Sequence, residues 1–203
     1  DANRKLAMVF FPLVAGVLVM AHPFIVLLFT DTYEASVPIF MVSALGMVLA
    51  SLLTDCALRV LALTRYLIVQ YLIRLALVVL LLQWLMTSIG LIGAILATLL
   101  ADAVVKVIAL ERIRRELKIR PSGLLPWKAL VITALLAALA AVPAMLVLAS
   151  LSAPEFVQLA VTGPVFVLTY YLLLRRFGPL QGDEQQQLDE WVQRPFLWVR
   201  RTT

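Results

Sequence analysis

Residues 71–85, YLIRLALVVLLLQWL, are almost entirely aliphatic, yet they contain one permanent cation, Arg74. A helix that crosses bilayer hydrocarbon takes about 20 apolar residues, and this stretch with its flanks is long enough for one. The rest of the chain has the same character. Of its 203 residues, 63% are hydrophobic and 14% are charged, whereas a soluble domain is about half apolar and about one quarter charged. The composition therefore predicts an integral membrane protein whose apolar side chains face lipid.

Six apolar runs are long enough to cross a membrane. Because bilayer hydrocarbon offers no hydrogen-bonding partner to an exposed backbone, each run must be helical, and the predicted fold class is all-α. The predicted spans cover residues 6–29, 37–57, 66–86, 89–110, 127–151 and 156–174.

The basic residues are distributed on one side of these spans. Fifteen of the 17 Lys and Arg residues lie before the first span, around the second-to-third and fourth-to-fifth connections, or after the last span. The alternate connections contain neither residue type. By the positive-inside rule, both termini are predicted to be cytoplasmic. The net charge of +5 is explained by this asymmetry, and nucleic acid is not an expected partner.

The connection after the fourth span divides the chain. Its sequence, ERIRRELKIRPSGLLPW, is basic and amphipathic and is expected to lie on anionic lipid headgroups. The predicted organisation is a four-span group in 1–110, this linker in 111–126, a final pair of spans in 127–175, and an amphipathic cytoplasmic tail in 176–203. The chain starts at Asp1 rather than at a methionine, and we expect it to be a fragment of a longer protein.

Arg74 has a predicted partner in Asp102. Each residue lies eight positions from the cytoplasmic end of its span, which is a depth of about 12 Å at 1.5 Å per residue. The very short outer turn between the third and fourth spans makes these helices antiparallel neighbours. A charge within a membrane helix costs about 2.5–3.5 kcal/mol on insertion scales, so we predict that Arg74 and Asp102 form an ion pair.

Two interpretations of this pair are open: a salt bridge that only supports packing, or a charged site that faces a hydrated cavity and meets an anionic substrate. Gln70, one turn before Arg74, extends a polar stripe on the same face. Lys106, one turn after Asp102, either shares that carboxylate or snorkels to the inner headgroups.

Other polar residues near the spans have local interpretations. His22 is followed by a helix-breaking proline, and it is either a proton site or a hydrogen-bond donor to the backbone carbonyls that the proline frees. Asp55 is expected to pair with Arg59 at i+4.

Small residues recur every four positions along the fourth span, which lets membrane helices approach backbone to backbone. One predicted packing row contains Gly90, Ala94, Thr98 and Asp102, and the next contains Gly93, Ala97 and Ala101.

The sequence contains no motif of a hydrolase, a phosphate-binding loop or a metalloprotease. With one cysteine, Cys56, and one histidine, it also has no cysteine framework. We therefore expect no enzyme activity, no cofactor and no metal site.

Three stretches resemble the bacterial polysaccharide flippases of the multidrug/oligosaccharidyl-lipid/polysaccharide exporter superfamily, the O-antigen and exopolysaccharide translocases. They are PLVAGVLVMAHPFIVLLFTDTYEASVPIF (residues 12–40), RVLALTRY (59–66) and IGLIGAILATLLADA (89–103). The chain departs from the family pattern at Thr64, where a glycine is usual, and at Ile95, which replaces an alanine. The resemblance covers about residues 6–105, and the last two spans are similar only in layout.

The resemblance implies a two-lobed transporter that works by alternating access in the bacterial inner membrane. The first four spans would complete its C-terminal lobe, and the partner of this chain would be the N-terminal lobe. The implied cargo is an oligosaccharide linked to undecaprenyl pyrophosphate, which Arg74 would contact. The alternatives are a drug or metabolite cation antiporter of the same superfamily, a membrane-integral biosynthetic enzyme, and a membrane subunit of a polysaccharide assembly complex.

Overall fold

The structure is a computed structural model of the chain, and it describes residues 2–50, 54–60, 64–118, 126–151 and 153–178. Within these ranges the protein is all-helical and has no strand. Its helices are α1 (Ala2–Phe29), a short 3₁₀ helix (Asp31–Ser36), α2 (Val37–Ala50), α3 (Thr54–Val60), α4 (Thr64–Ile89), α5 (Leu91–Leu117), α6 (Trp127–Ser150) and α7 (Glu155–Phe177).

Six segments of the described chain are long and apolar enough to cross a membrane, which confirms the predicted all-α, multi-pass membrane class. Five of them coincide with α1, α4, α5, α6 and α7 to within a few residues. The sixth, Asp31–Val60, contains the 3₁₀ helix followed by α2 and α3. The second predicted span, residues 37–57, therefore takes in α2 and the first residues of α3, and residues 51–53 between them lie outside the described part of the chain.

Helix α5 continues beyond residue 110, where the sequence predicted its membrane span to end and the linker to begin. Its last turns are held by ion pairs along the helix. Glu111 accepts from Arg114 at 2.8 Å and from Arg115 at 2.9 Å, and Arg112 lies 2.7 Å from Glu116. Such pairs at i+3 and i+4 stabilise a helix where hydropathy alone predicts its end. The rest of the predicted linker, residues 119–125, and the predicted tail from residue 179 lie outside the described residues.

The helices pack in two groups, and α1 connects them. In one group, α4 runs along α5, and α2 and α3 also contact α5. In the other, α1, α6 and α7 contact one another around a core that includes Val19, Ala140, Phe166 and Tyr170. Because α1 also packs against α2, it joins the last two helices to the rest of the molecule.

One hydrogen bond between α1 and α7 follows from a proline. Pro12 lies inside α1 and has no N–H to donate to the carbonyl four residues earlier, which is that of Met8. The hydroxyl of Tyr170 in α7 donates to this Met8 carbonyl at 2.9 Å. The interhelix contact thus replaces a bond that the proline removes.

Tyr170→Phe is expected to destabilise the protein by about 1–2 kcal/mol, because it leaves the Met8 carbonyl unsatisfied in an apolar core. Unfolding in mixed detergent micelles measures this loss. The Pro12→Ala variant supplies the missing N–H, so Tyr170→Phe should cost less in that background. Equal costs in both backgrounds would contradict this explanation, and Tyr33→Phe at an exposed tyrosine serves as the control.

Candidate functional site

A cleft of about 220 Å³ lies among α2, α3, α4 and α5, and we call it the polar cleft. Its polar lining residues are Asp55, Gln70, Tyr71, Arg74, Asp102 and Lys106. All four residues predicted as substrate-site candidates are among them. The structure therefore brings these candidates together in one cavity between apolar helices.

Arg74 and Asp102 form the ion pair predicted from their matched depths. Nη2 of Arg74 donates to Oδ2 of Asp102 at 3.0 Å, and Nε of Arg74 contacts Oδ1. This two-nitrogen arrangement is the strong, directional form of an arginine–carboxylate pair. The side chains remain 43% and 31% exposed, respectively, so the pair is reachable from the cleft.

The hairpin between α4 and α5 positions this pair. Gly90 lies in the turn with φ of +70°, a conformation that glycine adopts without strain. Gly93 follows in the first turn of α5, where a Cβ atom would come within 2.1 Å of the Leu85 carbonyl oxygen. The backbones of the two helices are therefore in direct contact near the turn, which brings Arg74 opposite Asp102.

Only one of the two predicted packing rows behaves as a buried row. Gly93, Ala97 and Ala101 are buried, and the buried row continues with Val105 and Ala109. Ala94 and Thr98 in the other row are half-buried, and the hydroxyl of Thr98 donates to Ile95 of its own helix at 2.7 Å. Gly90 was predicted to pack between helices, but nothing lies within 4 Å of its Cβ position. Its role is in the turn.

Asp55 contacts α4 instead of forming the predicted i+4 pair with Arg59. Its carboxylate accepts from Nε2 of Gln70 and from the hydroxyl of Tyr71, each at 3.4 Å. These distances are longer than the usual 2.7–3.2 Å. Gln70 is only 4% exposed, and its Oε1 atom is buried with no hydrogen-bond partner among the described residues.

Lys106 also lines the polar cleft. Its Nζ is 3.5 Å from the hydroxyl of Thr54, which is buried. The described lining therefore contains two acids and two bases. The opposing charges keep the cleft near neutral overall while presenting both signs to a ligand.

His22 is outside this cleft. Its Nε2 lies 3.2 Å from Oε1 of Glu34 in the 3₁₀ helix, and both side chains are exposed. The predicted alternatives were a proton site and a bond to backbone carbonyls freed by Pro23. In the structure this histidine has a carboxylate partner, near the end of α1 that the charge asymmetry predicts to face outward, and the proton site stays a prediction.

Two cleft residues were not predicted as site candidates. No sequence pattern marked Tyr71 as a site residue, and Asp55 was assigned to a local pair with Arg59. Asp55 lies two residues and Gln70 four residues from the predicted inner ends of their spans, and this similar depth was the available clue. Within the described ranges, no group of three or more His, Cys, Asp or Glu side chains is placed to hold a metal ion.

Compared with protein-family models, with curated proteins and with solved structures, the chain matches none of them.

Proposed function

We propose that this chain is the C-terminal part of a flippase that moves an oligosaccharide linked to undecaprenyl pyrophosphate from the inner to the outer leaflet of a bacterial inner membrane. The observation that carries the proposal is a reachable arginine, Arg74, in a polar cleft between membrane helices. The resemblance of residues 6–105 to polysaccharide flippases supports the choice of cargo. The remaining lobe would come from the longer protein.

Between transport steps, Asp102 satisfies the charge and the N–H groups of Arg74. A guanidinium has five N–H donors, and phosphate oxygens are as suitable acceptors for it as a carboxylate. When a pyrophosphate head enters the cleft, it can take over Arg74 contacts that Asp102 otherwise satisfies. Lys106, on α5, also lines the cleft and adds a second cation for the same head.

Loss of the parent gene is expected to cause lipid-linked oligosaccharide to accumulate in the cytoplasmic leaflet. The wild-type protein should relieve this accumulation, and Arg74→Ala should slow translocation about 10- to 100-fold, because a hydrogen bond to a charged group contributes about 1.5–3 kcal/mol. Labelling of the lipid from each side of the membrane measures the distribution. Arg59→Ala, which removes an exposed cation outside the cleft lining, is the matched control.

If Arg74→Ala relieved the accumulation fully, the flippase proposal would stand, and the arginine would have only a packing role. An absence of accumulation would overturn the proposed function.

A cation antiporter of the same superfamily is the second candidate, and the position of Asp55 favours it. This carboxylate lines the cleft and accepts from the neutral donors Gln70 and Tyr71. It is therefore a second acid, beside Asp102, in the membrane region. An antiporter predicts altered sensitivity to toxic cations on gene loss, without accumulation of lipid-linked sugar.

A further inference from the structure

A second cavity lies at the end of α4 and α5 that the charge asymmetry predicts to be cytoplasmic. It has a volume of about 430 Å³ and is lined by Tyr66, Val107, Ile108, Glu111, Arg112 and Arg115. We call it the interfacial groove. It shares no lining residue with the polar cleft, so its ligand is a separate question from the transported cargo.

Cations are in excess at the charged end of this groove. The described end of α5 from Glu111 to Lys118 contains four basic and two acidic side chains. Arg115 donates from Nε to Glu111 at 2.9 Å, and Nη2 of Arg112 lies 2.7 Å from Glu116. Each guanidinium has five N–H donors, so these carboxylate contacts leave both arginines able to bind an anion.

Arg112 is also held in position by an aromatic ring. Its guanidinium carbon lies 5.7 Å from the centroid of Tyr66 on α4, within the range of a cation–π contact. This contact crosses from α5 to α4 and holds the guanidinium in the lining of the groove. A pre-positioned guanidinium loses less side-chain entropy when it binds a phosphate.

The groove lining on α5 is apolar one turn before the charged residues. Val107, one turn before Glu111, is 65% exposed, and Ile108 lies beside it in the lining. A soluble anion makes no favourable contact with these apolar side chains. A phospholipid fits both parts, because its phosphate meets the arginines while the start of an acyl chain covers the valine and isoleucine.

We propose that the interfacial groove binds one anionic phospholipid, with its headgroup phosphate on Arg112 and Arg115 and an acyl chain along Val107 and Ile108. Basic pockets between membrane helices on the cytoplasmic side favour anionic headgroups over zwitterionic ones. The site is independent of the proposed cargo and would anchor the inner end of the α4–α5 hairpin in a membrane of suitable lipid composition.

The test is lipid retention by the purified protein in a neutral detergent, measured by native mass spectrometry. Phosphatidylglycerol and phosphatidylcholine with identical acyl chains are added in equal amounts. Wild type should retain one phosphatidylglycerol in preference to phosphatidylcholine. The double variant Arg112→Gln/Arg115→Gln should lower that preference roughly 25-fold, since each cation near an anionic surface contributes about fivefold.

The matched control is Arg175→Gln/Arg176→Gln, which removes two cations from the corresponding end of α7, outside the groove. It should leave the preference unchanged. Equal retention of the two lipids by wild type would overturn the site without reliance on any variant. An equal loss in both double variants would indicate diffuse surface charge, and displacement of the lipid by inorganic phosphate would indicate a soluble-anion site; either result overturns the proposal.

Discussion

Arg74→Asp is expected to destabilise the protein by about 3 kcal/mol or more, because two carboxylates would then face each other among membrane helices. Asp102→Arg should be similarly damaging, since it opposes two guanidinium groups. The double exchange, Arg74→Asp with Asp102→Arg, restores opposite charges on α4 and α5. We expect it to recover most of the lost stability, as measured by unfolding in mixed detergent micelles.

The double exchange distinguishes an ion pair from two charges that affect stability independently. Arg74→Lys serves as an intermediate, because an ammonium keeps the charge but not the two-nitrogen contact with Asp102. It should fall between wild type and the reversals. A double exchange as unstable as either single reversal would mean that the pair does not stabilise the α4–α5 hairpin.

Gly93→Ala is the second change with a large expected effect. Its new methyl group would lie 2.1 Å from the carbonyl oxygen of Leu85 and 3.2 Å from that residue's Cβ. Backbone atoms cannot turn aside as a flexible side chain can, so the α4–α5 hairpin must open near its turn. Overpacking of this kind costs about 1–3 kcal/mol, and the opening would also separate Arg74 from Asp102.

Gly46→Ala is the matched control, because it adds the same methyl group at another helix contact. There the nearest atom is Cδ2 of Leu99 at 3.0 Å, the end of a side chain that can rotate away. The higher helix propensity of alanine offsets part of the remaining cost. Similar unfolding free energies for the two variants would show that the hairpin backbone accommodates a methyl group at position 93.

The six apolar segments were predictable because hydropathy and helix length are both set by the thickness of the bilayer. The ends of the helices were less predictable. The predicted fourth span ended where the charged run from Glu111 begins, whereas α5 continues to Leu117 through charged residues that pair with one another along the helix. The ion pair of Arg74 and Asp102 was predictable because equal depth on helices joined by a short turn leaves little choice of partner.

The rest of the polar cleft depends on how each helix is rotated, and the sequence does not specify rotation. Asp55 has Arg59 four residues away, but the packing of α3 beside α4 turns it toward Gln70 and Tyr71. Helix rotation likewise decides which of the two small-residue rows of α5 is buried. Tyr170 illustrates a clue that was present but needed the fold, since a proline inside a helix leaves an acceptor that some distant donor must satisfy.

The hydrogen bond between Tyr170 and Met8 joins residues 162 positions apart, and it has a consequence for biogenesis. Helix α1 is synthesised before α6 and α7, so the surface that they cover is still bare when α1 enters the bilayer. The Met8 carbonyl then has neither the N–H that Pro12 lacks nor the tyrosine hydroxyl. The contact between α1 and α7 can therefore form only after α7 has been inserted, and a chain that stops after α5 would leave the Met8 carbonyl without this partner.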